Sequence, residues 1–194
     1  MQFYEKTIVV DADGVFLNFM HSYDLWMYEN GNRQKNDCYS LDSRYGLSDI
    51  ESDLYFKMFT ESAAISNLPP YRDSIKYIKK LHEEHGFVFH CITAIPNIPS
   101  VVESRWKNIR NIFGNTAFER LTLSDTAKNK KQYLEKYRDS GCFWIEDSTR
   151  NVVMGHEMGL QGVLMSNEYN KEFYHKEIPV VHSWKEIYEL IVGV

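Results

Sequence analysis

Residues 8–15 read IVVDADGV. With Thr7 in front, the apolar part is short and β-branched and stops at a glycine-containing turn, which predicts a strand buried on both faces. Asp11 and Asp13 stand one residue apart just past that strand. A turn at Gly14 lets the two carboxylates converge on one ligand. An aspartate can attack phosphorus covalently, and a second carboxyl can protonate the leaving oxygen and then deprotonate water. DADG alone fits a strand end with an Asx turn equally well. It does not fit an EF-hand calcium loop, which needs Gly sixth and Glu twelfth. Counted from Asp11, those places hold Phe16 and Ser22.

Further strands are predicted at residues 87–93 (FVFHCIT), 118–123, 142–147 (CFWIED) and 162–165 (GVLM). Between them run helical stretches. Residues 72–85 carry Ile75, Ile78 and Leu81 at helical spacing before Gly86, and residues 100–113 place Val101, Val102, Trp106, Ile109 and Ile112 inward before Gly114. Residues 128–138, a stretch ending near Met158, and residues 184–192 complete the helices. Strands alternating with helices predict βα units around a mainly parallel sheet. Ligands then sit beyond the carboxyl ends of the strands, so Asp11, Thr93 and Glu146–Asp147 fall on one rim. Residues 16–70 differ in character. Aromatics including Tyr23, Trp26, Tyr39, Tyr45 and Phe56 are scattered among polar residues, which suits two or three short helices closed by Pro69–Pro70.

The acidic pair Glu146–Asp147 would add negative charge beside Asp11 and Asp13. A hard divalent cation offsets such a cluster, and its oxygen ligands suit magnesium. Asp147 or Ser148 could equally cap the next helix. Thr93, with the amides that follow, can hold a phosphate oxygen. Lys128, Lys130 and Lys131 open a helix, and one of them can neutralise a phosphoryl group, while the others belong to a solvated face. HEEH at residues 82–85 is not HExxH, and GxSxG, GxxxxGK[ST] and GxGxxG are absent. The net charge of −5 excludes a general grip on duplex nucleic acid. Three cysteines make an odd number without metal-clip spacing, and Cys91 and Cys142 lie in apolar runs, so buried thiols in a reducing compartment are expected. The start of the chain lacks the pattern of a secretory signal, and no apolar run has the length of a membrane span. The expectation is a soluble, cytoplasmic protein, monomeric or homodimeric.

Taken together, DADGV at 11–15, CIT at 91–93, a lysine at the start of the 128–138 helix and IEDS at 145–148 resemble, in order and placement, the haloacid dehalogenase superfamily of phosphohydrolases. The resemblance implies a Rossmann-like, doubly wound α/β core over residues 1–16 and 71–194. It also implies magnesium and an aspartyl-phosphate intermediate. By position, Asp11 resembles the nucleophile and a metal ligand, and Asp13 the acid/base that also binds the metal through its carbonyl. Asp147 resembles the metal-binding carboxylate, with Glu146 in support. Thr93 and Ala94 resemble the phosphate-binding pair. Lys130 is preferred as the active-site lysine because KKQYL resembles the family pattern, with Lys128 second. Asn151 departs from the acid common at its place. The inserted residues 17–70 resemble a small helical cap. DADGVFLNF and NLPPYRDSIKYIKKLHEEHGF are similar to the 5'(3')-deoxyribonucleotidase branch and its bacterial and phage relatives, which implies a nucleoside or deoxynucleoside monophosphate as substrate. Phe19 falls where that branch stacks an aromatic on the base, and Trp26, Tyr45 and Tyr23 are weaker candidates. A sugar phosphate, a nucleic-acid 3'-phosphate, or a binding protein without turnover are the alternatives.

Overall fold

The computed structural model describes residues 5–124 and 130–193. Six strands form one sheet: β1 (Thr7–Val10), β2 (Val88–Thr93), β3 (Phe118–Leu123), β4 (Phe143–Glu146), β5 (Gln161–Met165) and β6 (Val180–Val181). Their order is β3-β2-β1-β4-β5-β6, and every pairing is parallel. This is the doubly wound arrangement expected. All four residues of β1 are buried, as a central strand covered on both faces requires. The winding reverses direction at β1, which pairs with β2 on one side and β4 on the other, so a crevice opens beyond its carboxyl end.

The helices are α1 (Phe19–Glu29), α2 (Leu41–Tyr45), α3 (Asp49–Thr60), α4 (Ser74–Glu83), α5 (Pro99–Phe113), α6 (Lys130–Leu134), α7 (Thr149–Glu157) and α8 (Trp184–Val192). The first three, with a 3-10 turn at Ala63–Asn67, make up the segment inserted after β1. Capping fixes several starts. Ser48 and Glu51 form a reciprocal capping box on α3, and Ser183 accepts from the Glu186 amide at the start of α8. One hydrophobic cluster joins Ile8, Val10 and Phe89 of the sheet to Phe19, Tyr23 and Phe59 of the insert. The insert therefore shares its apolar interior with the sheet.

The chain leaves for the insert and returns from it at one point. Leu17 bridges to Pro70, and the Asn18 amide donates to the Pro69 carbonyl at 2.8 Å. Trp184 is fully buried below and donates its indole N–H to the Val15 carbonyl.

Three details differ from the sequence-based expectation. Ile75 is 44 % exposed, because α4 begins at Ser74 and turns Ser74, Ile78 and Leu81 inward instead. The Ser74 hydroxyl satisfies the Phe16 carbonyl. The helix expected over residues 128–138 is, among the described residues, α6 up to Leu134 and then a 3-10 turn at Glu135–Tyr137. The two-residue strand β6 is too short to leave a periodic signal, and it is specified by pairing with Leu164 and Met165.

Candidate active site

A cavity of about 380 Å³ opens over the carboxyl ends of β1, β2 and β4, and Asp11, Asp13, Thr93, Ala94, Lys130 and Asp147 all face it. The geometry starts from the loop after β1. The Ala12 carbonyl accepts from the amides of Phe16 (3.0 Å) and Leu17 (2.9 Å), and the Gly14 amide donates to the Leu17 carbonyl. This tight turn points the side chains of residues 11 and 13 toward the same space. Gly14 has φ +76°, and a Cβ there would overlap the Asp147 carboxylate and lie 2.8 Å from the Tyr169 hydroxyl. A side chain at this place costs about 1–2 kcal/mol in backbone strain alone. It also displaces Asp147. Gly14→Ala is expected to fold but to lose roughly 100-fold in kcat/KM, since an ångström of misplacement costs about that much. Steady-state kinetics beside a thermal melt check this.

Lys130 is 2 % exposed and holds two carboxylates, Asp11 Oδ2 at 2.6 Å and Glu146 Oε1 at 2.7 Å. The other Asp11 oxygen accepts from the Ala12 amide at 2.8 Å. Glu146 is fully buried. Its Oε2 accepts from the amides of Asp147 and Ser148, and its Oε1 accepts from Asn151 Nδ2 as well as from Lys130. Four donors thus surround one carboxylate, which anchors Lys130 and the loop after β4. Asn151 explains itself here, because an acid in its place would face Glu146 instead of donating to it. Asp147 accepts from the Tyr169 hydroxyl, and the Asn170 amide group holds its main-chain carbonyl at 2.8 Å.

Burial drives the electrostatics. Desolvation, together with the Glu146 and Asp13 carboxylates, pushes the Asp11 carboxyl up to about 7 against the pull of Lys130. Desolvation and the Glu146 and Asp11 carboxylates push Asp147 well above the usual carboxylate range. Burial opposes the charge on Lys130, but Asp11 and Glu146 outweigh it and raise the ammonium pKa. One carboxylate oxygen each from Asp11, Glu146 and Asp147 lie within 4.8 Å of one another. A buried cluster of oxygen donors, short of positive charge, is the chemistry that receives a hard divalent cation.

Asp13 has its own partner. The Arg105 guanidinium, fully buried on α5, grips both of its oxygens at 2.8 and 2.9 Å. The Thr93 hydroxyl lies 3.5 Å from Asp13 Oδ2. Arg105 carries a signal in the sequence itself. Arg105 falls four residues after Val101 and four before Ile109, on the buried stripe of the helix. A charged residue on such a stripe demands a buried counter-ion.

Of the aromatics singled out from the sequence, Phe19 lines the cavity. Trp26 packs instead against Phe59 and Tyr55, at 5.7 and 6.3 Å between ring centres, and Tyr23 stacks on Phe19 at 5.6 Å. Tyr45 is buried and donates to Asp24, whose carboxylate also accepts from Arg44. Phe56, Met20 and Leu41 complete the apolar wall, and Tyr39 and Tyr169, 5.0 Å apart, form its far side. Tyr169 sits in a 3-10 turn after β5 and had no sequence signal. Lys128 lies outside the described residues. Cys38 and Cys91 are free thiols, and Cys142 is buried. Among the described residues no helix is long and apolar enough to cross a membrane.

The family of 5' nucleotidases described as deoxy (pyrimidine), cytosolic type C matches residues 5–194. The chain belongs to this family. The type C nucleotidases are phosphatases of haloacid dehalogenase type, and the fold agrees. A haloacid dehalogenase-like hydrolase from Streptococcus pneumoniae superposes with a TM-score of 0.68 at 14% identity, over 96% of this chain and 98% of that one. CbbY from Rhodobacter sphaeroides, solved with phosphate, gives 0.62 at 13% over 94% and 96%. D,D-heptose 1,7-bisphosphate phosphatase from Burkholderia thailandensis gives 0.59 at 11% over 98% and 100%. A search of curated proteins by sequence finds no match.

Proposed function

We propose that this nucleotidase-family protein hydrolyses a nucleoside or deoxynucleoside monophosphate with magnesium, through a phosphoryl group carried on Asp11. The observation that carries the reading is the Asp11 carboxylate, which faces the cavity with Lys130 at 2.6 Å and with Asp13 and Asp147 beside it. Asp11 attacks phosphorus and Asp13 protonates the departing alkoxide. Asp13 then takes a proton from water as that water releases phosphate from Asp11. Thr93, the Ala94 amide and Lys130 offset charge on the phosphoryl oxygens. Asp11, Asp147 and the Asp13 carbonyl would hold the metal ion, which when bound supplies positive charge to the phosphate. Glu146 is assigned to holding Lys130. Residues 17–70 act as a cap over the site, and the free thiols Cys38 and Cys91 suit the cytoplasm.

The leaving group lies toward the insert. Phe19 and Phe56 offer apolar faces to a base, and Ser40, Asp42 and Asp53 offer acceptors to sugar hydroxyls or a base amine. A panel of nucleoside monophosphates, sugar phosphates and 3'-phosphorylated oligonucleotides tests the substrate class. The highest kcat/KM is expected on a nucleoside monophosphate, and a preference for either other class would overturn that part. Turnover of p-nitrophenyl phosphate is expected to fall at least about 100-fold after chelation and to return with Mg2+. Full activity in excess chelator would sink the metal assignment.

A further inference from the structure

We propose that Arg105 is the positioning residue for Asp13, and that its grip is required for release of phosphate from Asp11. The inference rests on the acid/base role of Asp13 given above. The two terminal guanidinium nitrogens meet the two Asp13 oxygens in a fork-to-fork pair. Arg105 is fully buried while the Asp13 side chain is about one fifth exposed, at the cavity. The pair therefore joins an immobile cation to a carboxylate that faces the substrate. Arg105 Nε has no hydrogen-bond partner among the described residues. Among the described residues, the fork on Asp13 thus supplies the hydrogen bonds of this buried guanidinium.

The surroundings fix the fork. One turn further along α5, Asn108 donates to the Leu68 carbonyl at 2.9 Å, on the chain returning from the insert. Asp13 sits on the chain going out, in the turn closed by Gly14 and Leu17. The helix thus holds the returning segment through Asn108 and the outgoing turn through Arg105. An aspartate has two side-chain torsions, and at a cavity mouth little else restrains them. The Thr93 hydroxyl, at 3.5 Å, is a weak restraint. With the fork in place, the carboxylate is held beside Asp11, where a water attacking phosphorus has to lose its proton.

Pre-steady-state kinetics with p-nitrophenyl phosphate separate this role from a general loosening of the site. The p-nitrophenolate leaving group needs no proton, so transfer of the phosphoryl group to Asp11 does not depend on Asp13. Release of phosphate does. Arg105→Lys is expected to give a p-nitrophenolate burst of about one per enzyme at a rate within a few-fold of the parent. Steady-state turnover should then be about 100-fold slower. Asp13→Asn is expected to give the same burst, and adding Arg105→Lys to Asp13→Asn should change nothing further. Equal slowing of burst and steady state, or parental turnover in Arg105→Lys, would overturn the positioning role. Parental turnover in Asp13→Asn would instead overturn the acid/base assignment beneath it. Should the arginine variants not fold, a crystal structure of the unaltered protein with Mg2+ and beryllofluoride, which mimics phosphoaspartate, decides the matter. The fork should remain within hydrogen-bond distance of Asp13, and its separation would overturn the inference.

Discussion

Asp11→Asn is expected to abolish turnover, by about 10⁴-fold or more, while leaving the fold intact. The amide is nearly isosteric, and its single oxygen can still accept from either the Ala12 amide or Lys130, which meet different oxygens of Asp11, but it cannot carry a phosphoryl group through the cycle. Retained phosphatase activity would sink the nucleophile assignment. The same substitution has a second signature in the melt. In the metal-free protein the Asp11 carboxyl is raised to about 7, first by burial and then by its acidic neighbours. A carboxyl raised above its unfolded value contributes stability at low pH and loses it as pH climbs through the folded value. The unaltered protein therefore gives up stability between about pH 4 and 7 that asparagine, which does not titrate, keeps. In chelator, the melting temperature of Asp11→Asn relative to the parent is expected to climb by several degrees from pH 5 to pH 8, on the order of 1–3 kcal/mol. A pH-independent difference would mean that Asp11 is not held under this strain.

Lys130→Met is expected to damage both stability and chemistry. Its ammonium is the close cation for Asp11 and for fully buried Glu146. Methionine fills a similar volume but leaves two carboxylates without that partner. Breaking a buried ion pair on one side costs about 3–5 kcal/mol, which for a chain of this size is roughly 6–20 °C in melting temperature. The loss should shrink when Mg2+ is present and grow in chelator. Turnover should fall about 10²–10³-fold even where the protein is folded, because a preorganised charge beside the phosphoryl oxygens is gone. Combining Lys130→Met with Asp11→Asn should cost less stability than the sum of the two. Near-parental stability and activity in Lys130→Met would remove the lysine from the site.

The doubly wound sheet was legible because strand runs such as TIVV and FWIE are continuous and apolar and alternate with helical periodicity. Asp11, Thr93 and Asp147 were legible because parallel pairing places the ends of β1, β2 and β4 on one rim, whereas Lys130, at the start of α6, was preferred because KKQYL resembles the family pattern. The insert was harder to read. Its aromatics alternate with polar residues whether they pack or line a cavity, so Phe19 and Phe56 could not be told from Trp26 and Tyr45 by spacing. Tyr169 comes from a 3-10 turn whose place depends on the whole β5 edge, and Arg105 became visible only when α5 was laid against Asp13.

The sequence by itself determined the parallel α/β core and the order in which its chemical groups reach the rim, because local periodicity and strand ends are local properties of the chain. Tertiary structure alone decided which ion pairs with which. Lys130 bridges Asp11 to Glu146, and Arg105 takes Asp13 from 92 residues away. Such pairings depend on desolvation and on distances across the packed interior, and no stretch of sequence contains them.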